Sequence, residues 1–193
     1  MKSFKSIFLV LSSFTLLCVL QLHSQTPTES KRMITDESER MITAATEARS
    51  ALIESAKYLD DPANIKFRTI KMRYKIFEAT YRSSKSVSAN IKAGITFQEY
   101  GNLIRPFISD VAVLEDEISS DDEKYLYEAY LSVTKIYSTE GSFWSEVIHS
   151  GNPEIKETSN DLISGSWSVA SQILEKANEA YLRNKKSKTI KHK

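Results

Sequence analysis

The sequence predicts an all-α protein: an up-down antiparallel bundle of four or five long helices behind a cleaved N-terminal signal. Three observations carry that prediction. Glycine and proline are scarce, five and four in 193 residues, and most stand where one helical pattern gives way to the next. Between them the apolar residues recur at alternating steps of three and four, the spacing of one helix face. Two Ser/Thr-x-x-Glu tetrads, Thr96 to Glu99 and Ser120 to Glu123, stand in front of such runs, where a capping box starts a helix.

The chain opens MKSFKSIFLVLSSFTLLCVLQLHSQ. Lys2 and Lys5 form a short positive region, Ile7 to Leu20 is apolar, and Leu22 and Ser24 suit the −3 and −1 positions of a cut before Gln25. That is the layout of a secretory signal. The apolar run is shorter than the roughly 20 residues a membrane span needs. Residues 1–24 are therefore read as signal peptide, 25–184 as the helical-bundle domain and 185–193 as a basic disordered tail. The expected location is periplasmic or secreted. Cys18 is the sole cysteine and leaves with the signal, so no disulfide staples the remainder. Leu17 stands where a lipoprotein signal has a small residue, so Cys18 is not read as a lipid anchor.

Without Lys2 and Lys5 the chain carries 24 basic and 25 acidic residues. The last eleven, RNKKSKTIKHK, hold six Lys/Arg and no acid, which leaves the body acidic. Such an end is read as solvated, with a weak contact to an anionic surface as the other reading.

The first helical segment, about Thr28 to Leu59, repeats Ile34, Ser38, Met41, Ala45, Ala48, Leu52, Ser55 and Leu59, a seam of mostly small residues. Asp61-Pro62 ends it. The next stretch, KFRTIKMRYKIF from Lys66, nearly alternates apolar and basic residues. Read as a strand, the alternation fails at Thr69-Ile70. Read as a helix, Phe67, Ile70, Tyr74, Phe77, Tyr81, Ser84, Ser88 and Ile91 keep the three-four rhythm, so it forms the second helix. Gly94 fits the end of that helix, and Thr96 caps the third, Phe97 to Ile118, whose seam is Phe97, Tyr100, Ile104, Phe107, Val111, Leu114 and Ile118. Pro106 predicts a kink or break near Arg105. Ser120 caps the fourth, with Asp121 and Asp122 placed favourably in its first turn. It continues through Leu126, Tyr130, Val133 and Tyr137 to Ile148, with Gly141 a point at which it could be interrupted. Asn152 and Pro153 start the fifth, whose seam is Ile163, Trp167, Ala170, Leu174, Ala177 and Tyr181.

The second helix carries eight basic residues from Lys66 to Lys92 against Glu78. The stretch Asp110 to Glu123 holds seven acids and no base. Folding the two helices back about Ile95 brings Lys75 to Glu115, Arg73 to Glu117 and Arg68 to Asp122. The basic face is therefore expected to be matched internally, and no nucleic-acid partner is expected.

Catalytic patterns are sparse. Glu146-Val147-Ile148-His149 is one Glu-x-x-His, where di-iron bundles use two. The only other histidine outside the signal is His192. Neither a metal nor a cofactor is expected, and no Ser, Thr or Cys has a histidine base in prospect beyond His149. Glu54-Ser55 resembles the Glu-Ser of lytic transglycosylases, but that family's following Gly-Leu-Met-Gln-type segment is absent. Aromatics remain. Tyr125, Tyr127, Tyr130, Tyr137, Phe143 and Trp144 crowd the fourth helix, and Trp167 lies opposite Ile136 and Tyr137 if the last two helices pair about Gly151. At helical spacing such residues form core, yet Tyr127 cannot share a face with both Tyr125 and Tyr130. Tyr127, Tyr137, Trp144 and Trp167 are the candidates for a partner surface or a ligand cleft. The expected function is non-enzymatic: contact with an envelope or extracellular protein, or alternatively carriage of a small ligand in an aromatic cleft between helices.

Overall fold

The computed structural model describes residues 72–150 and 153–190, and positions 39, 40, 43, 44, 46, 47, 50, 51, 53 and 54; side chains of the last helix are described at 156 and from 159 to 186. The predicted signal and the breaks predicted at Asp61-Pro62 and Gly151-Asn152 lie outside the described residues. Among the described residues there is no β-strand. Four helices are complete: α1 (Glu78–Ala93), α2 (Phe97–Leu114), α3 (Asp121–Ser150) and α4 (Pro153–Ile190). The described positions from 39 to 54 are helical too. No described helix is long and apolar enough to cross a membrane.

Local chemistry places the ends of α2 as expected. The Thr96 hydroxyl accepts the N–H of Glu99 at 3.3 Å, and the Glu99 carboxylate accepts the N–H of Thr96 at 2.8 Å. Gly94 closes α1 at φ +86°, a conformation a Cβ would strain. Pro153 is the first residue of α4.

Neither the break predicted at Pro106 nor the candidate interruption at Gly141 occurs. α2 runs unbroken through Pro106. Pro106 cannot donate to the carbonyl of Asn102, but both residues are exposed, so water reaches that carbonyl. The opposite face, Tyr100, Ile104, Phe107, Val111 and Leu114, is buried and holds the helix together. α3 runs unbroken through Gly141. There the missing side chain makes room: a Cβ would lie 3.0 Å from Cε1 of Tyr100. α4 also continues past residue 184 to Ile190, with Tyr181 and Asn184 still buried.

α3 is the central element and packs most extensively on α2 and α4, while α1 packs on α2 and α4. One core cluster gathers Phe77 just before α1, Val87 of α1, the α2 seam, Leu126 to Tyr137 of α3, and Val169 to Tyr181 of α4. A smaller one joins Ala44, Phe143, Val147, Leu162 and Ile163. Trp144 and Trp167 pack against both. Ala44 and Ala51, one heptad apart and beside the predicted small-residue seam, are buried.

The basic stretch from Lys66 is described from Met72 onward, and it is not α-helical there. Met72 and Arg73 are irregular, Tyr74–Phe77 is a 3-10 turn, and α1 begins at Glu78. The cause lies 50 residues away. The Glu123 carboxylate accepts the backbone N–H of Arg73 at 2.9 Å and its guanidinium at 3.0 and 2.8 Å, so Arg73 stays outside the helix. The register about Ile95 holds, since the Thr80 hydroxyl donates to the Asp110 carbonyl at 3.3 Å. Arg73 also meets Glu117, but through the backbone carbonyl. Lys75 and Glu115 are exposed and form no ion pair with each other, and Arg68 lies outside the described residues. Charge matching is thus concentrated in one part-buried knot rather than spread along a seam. Exposed pairs gain only about 0–1 kcal/mol, too little to order long side chains.

Candidate functional site

The largest concentration of aromatic side chains lies where α2, α3 and α4 meet. Tyr100 of α2 occupies the middle. Its ring stacks on Trp167 of α4 at 5.4 Å and meets Trp144 of α3 edge-on at 5.7 Å. Trp144 and Trp167 touch at 5.4 Å, and Phe97 meets Trp144 at 5.4 Å. The Tyr100 hydroxyl donates to the Tyr137 carbonyl at 2.6 Å, which pins the ring against Gly141. Edge-on and offset contacts of this kind add about 0.5–1.5 kcal/mol per pair beyond area burial.

Three of the four sequence candidates gather here. Tyr137 is fully buried, and Trp144 and Trp167 are half-buried. Tyr127 does not join them. It lies nearer the start of α3, beside Glu115 and Glu128, where burial and those carboxylates raise its phenol pKa. Trp167 is not opposite Ile136 and Tyr137 as a turn about Gly151 would put it. Tyr130 donates to Asn178 at 2.8 Å and Ser166 lies beside Glu140, so α4 is displaced and Trp167 is level with Glu140. Its indole then reaches Trp144 one turn further on.

Glu140 is the residue that sequence reasoning missed. Its side chain is fully buried, and neither carboxylate oxygen has a hydrogen-bond partner among the described residues. Ser166 is adjacent, but its hydroxyl donates to the Leu162 carbonyl at 3.0 Å. Burial pushes the Glu140 carboxyl up to about 7, only partly offset by Ser166. A signal was present in the sequence. Leu126, Tyr130, Val133, Tyr137, Glu140 and Trp144 keep one three-four rhythm, and Glu140 is its sole charged member.

Glu123, also on α3, is buried in the opposite condition. Besides Arg73 it accepts the N–H of Ser119 at 3.0 Å and stands 3.1 Å from the Ser119 hydroxyl. The Arg73 guanidinium holds its carboxyl at about 2, helped by the backbone donors. Ser120 caps α3 by accepting the Glu123 N–H at 3.3 Å. The carboxylate, however, returns to Ser119 rather than to the cap residue, so the expected box is shifted by one position.

The remaining candidates separate. His149 is exposed at the end of α3, its Nδ1 2.7 Å from the Ser145 carbonyl, a local helix-end contact. Among the described residues no group of three His, Cys, Asp or Glu side chains could hold a metal ion. Glu54 is exposed and pairs with Lys135 at 3.4 Å, and Ser55 lies outside the described residues. No protein-family model, curated protein or solved structure matches this chain.

Proposed function

We propose that this chain is an exported, non-enzymatic up-down helical bundle that acts by contact with another protein in the cell envelope or outside the cell. The export part rests on the Lys2/Lys5 region and the apolar run before Gln25. The up-down part is supported by the order of contacts: Thr80 with Asp110, Phe107 with Tyr130, and Tyr130 with Asn178.

The observation that carries the contact reading is charge left open at one end of the bundle. Near the Arg73–Glu123 knot, Glu115, Asp116, Glu117 and Asp121 are exposed. Lys75 in the 3-10 turn, Lys85 of α1 and Lys186 of α4 are exposed as well, with Arg82 and Lys185 both near Glu78, at 2.7 and 3.9 Å. Exposed charge of both signs favours a partner with the complementary pattern, steers its approach and selects against others. The alternative, a small-ligand carrier, has one observation in its favour: Trp167 Nε1 and Glu140 are buried polar groups with no hydrogen-bond partner among the described residues, next to half-buried indoles.

Native mass spectrometry of the protein recovered from its own secreting cells tests both. A stoichiometric protein partner, lost when Glu115, Asp116 and Glu117 are changed together to Lys, is the expected result. A bare chain under gentle, low-salt conditions would remove the contact reading, and a retained small molecule would replace it with the carrier.

A further inference from the structure

Among the described residues Glu140 is the carboxylate whose two oxygens are both sealed from water and both without a donor. Its neighbourhood explains the deficit. From α2 comes Tyr100, whose hydroxyl is used by the Tyr137 carbonyl at 2.6 Å. From α4 comes Ser166, whose hydroxyl is used by the Leu162 carbonyl at 3.0 Å, followed by Trp167. On α3 the near titratable neighbour is Tyr137, a buried phenol one turn back. From the helical positions 39–54, the buried described residues are alanines, while Arg40, Glu47 and Glu54 are exposed. Lys135, on the α3 side toward Glu54, is exposed and paired with it at 3.4 Å. No described cation faces Glu140. An ionised carboxylate in that position would have neither counter-charge nor hydrogen bond, a far costlier state than the neutral acid.

We propose that Glu140 is a proton-operated latch: with its proton on, α2, α3 and α4 close around the Tyr100–Trp144–Trp167 cluster, and ionisation drives them apart to admit water or a cation. The carboxyl pKa, raised to about 7 by burial, places the event near neutrality. The direction follows from linkage. The folded carboxyl holds its proton to higher pH than the unfolded one, ordinarily 4.5, so stability falls as pH rises from about 4.5 to about 7 and is level beyond.

The test uses the full chain and the Glu140→Gln variant, with denaturant titrations between pH 5 and 8 read by fluorescence. Trp144 and Trp167, the only two tryptophans, both lie in the cluster and report its opening. The wild-type folding constant is expected to fall on the order of 100-fold from pH 5 to pH 8, with emission moving to longer wavelength near neutrality. Glu140→Gln is expected to do neither. Equal pH dependence in the two proteins would overturn the latch. Should Glu140→Gln not fold, carboxyl-carbon NMR of the wild type decides. A Glu140 midpoint near neutrality supports the latch. A midpoint at or below the ordinary carboxylate range overturns it.

Discussion

Glu123 and Glu140 lie on the same helix, both shielded from water, and their environments could hardly differ more. Glu123 accepts two backbone N–H groups and a bidentate guanidinium, and its carboxyl is held at about 2. Glu140 accepts nothing from the described residues, and burial raises it to about 7. Burial alone therefore does not determine what a carboxylate does; the supply of donors does. At Glu123 the donors come from loop backbone at the α2–α3 corner and at Arg73, where N–H groups are not taken by a helix ladder. At Glu140 the surrounding backbone is all mid-helix, so its N–H groups are already used, and the nearby hydroxyls point elsewhere. One carboxylate ties chain segments together, and the other keeps a proton.

The largest effect expected from breaking this contrast is at Glu140. Glu140→Met, of similar volume and without charge, should raise stability at pH 8 by about 3 kcal/mol and leave it nearly unchanged near pH 4.5, as measured by urea denaturation at the two pH values. Removing the other member has the opposite sign. Glu123→Ala leaves the N–H groups of Arg73 and Ser119 without their acceptor and should cost about 2–3 kcal/mol at neutral pH. The half-exposed Arg73 side chain, 51% against 2% for Glu123, can turn to water and limits the loss.

The pH profiles should also run in opposite directions. The stability that Glu123 contributes is present above its ordinary value of 4.5 and is lost as pH falls toward about 2. The cost of Glu140 appears as pH rises from 4.5 toward about 7. A stability curve with a single maximum between the two ranges is expected, and each variant should flatten one flank.

Smaller changes sharpen the comparison. Gly141→Ala pushes a methyl group against the Tyr100 ring beside Glu140 and should destabilise by about 1 kcal/mol, the clash outweighing the helix-propensity gain. Gly165→Ala, with nothing within 4 Å of its Cβ, should stabilise. Smallest of all, Arg82→Ala removes an exposed i,i+4 partner of Glu78 and should change stability by less than about 0.5 kcal/mol, within the resolution of a thermal melt.

Much of the fold was legible in the sequence because its signals are local. The Thr96–Glu99 box, Gly94 and Pro153 each act within one helical turn, and the α2 seam needs only a period of 3.6. The register of α1 on α2 was legible too, because the connection at Ile95 is too short to shift. What misled was equally local. Pro106 and Gly141 look like breakers, and neither breaks its helix, because exposure of one and a ring seated on the other change what the backbone requires. Of the four aromatic candidates, Tyr137, Trp144 and Trp167 converge in space, whereas Tyr127, singled out because it cannot share a helix face with both Tyr125 and Tyr130, lies nearer the start of α3.

By itself, then, the sequence determined that the described chain is helical, where α2, α3 and α4 begin and which face of α2 is apolar, since these follow from side-chain chemistry within a few residues. Tertiary structure alone decided that Arg73 leaves the helix to meet Glu123, that Gly141 seats Tyr100, and that Glu140 is enclosed without a donor. Each of these depends on how far one helix slides along another and how it is turned about its axis. Those two quantities are set by the summed packing of many side chains from separate segments, and no single stretch of sequence contains them.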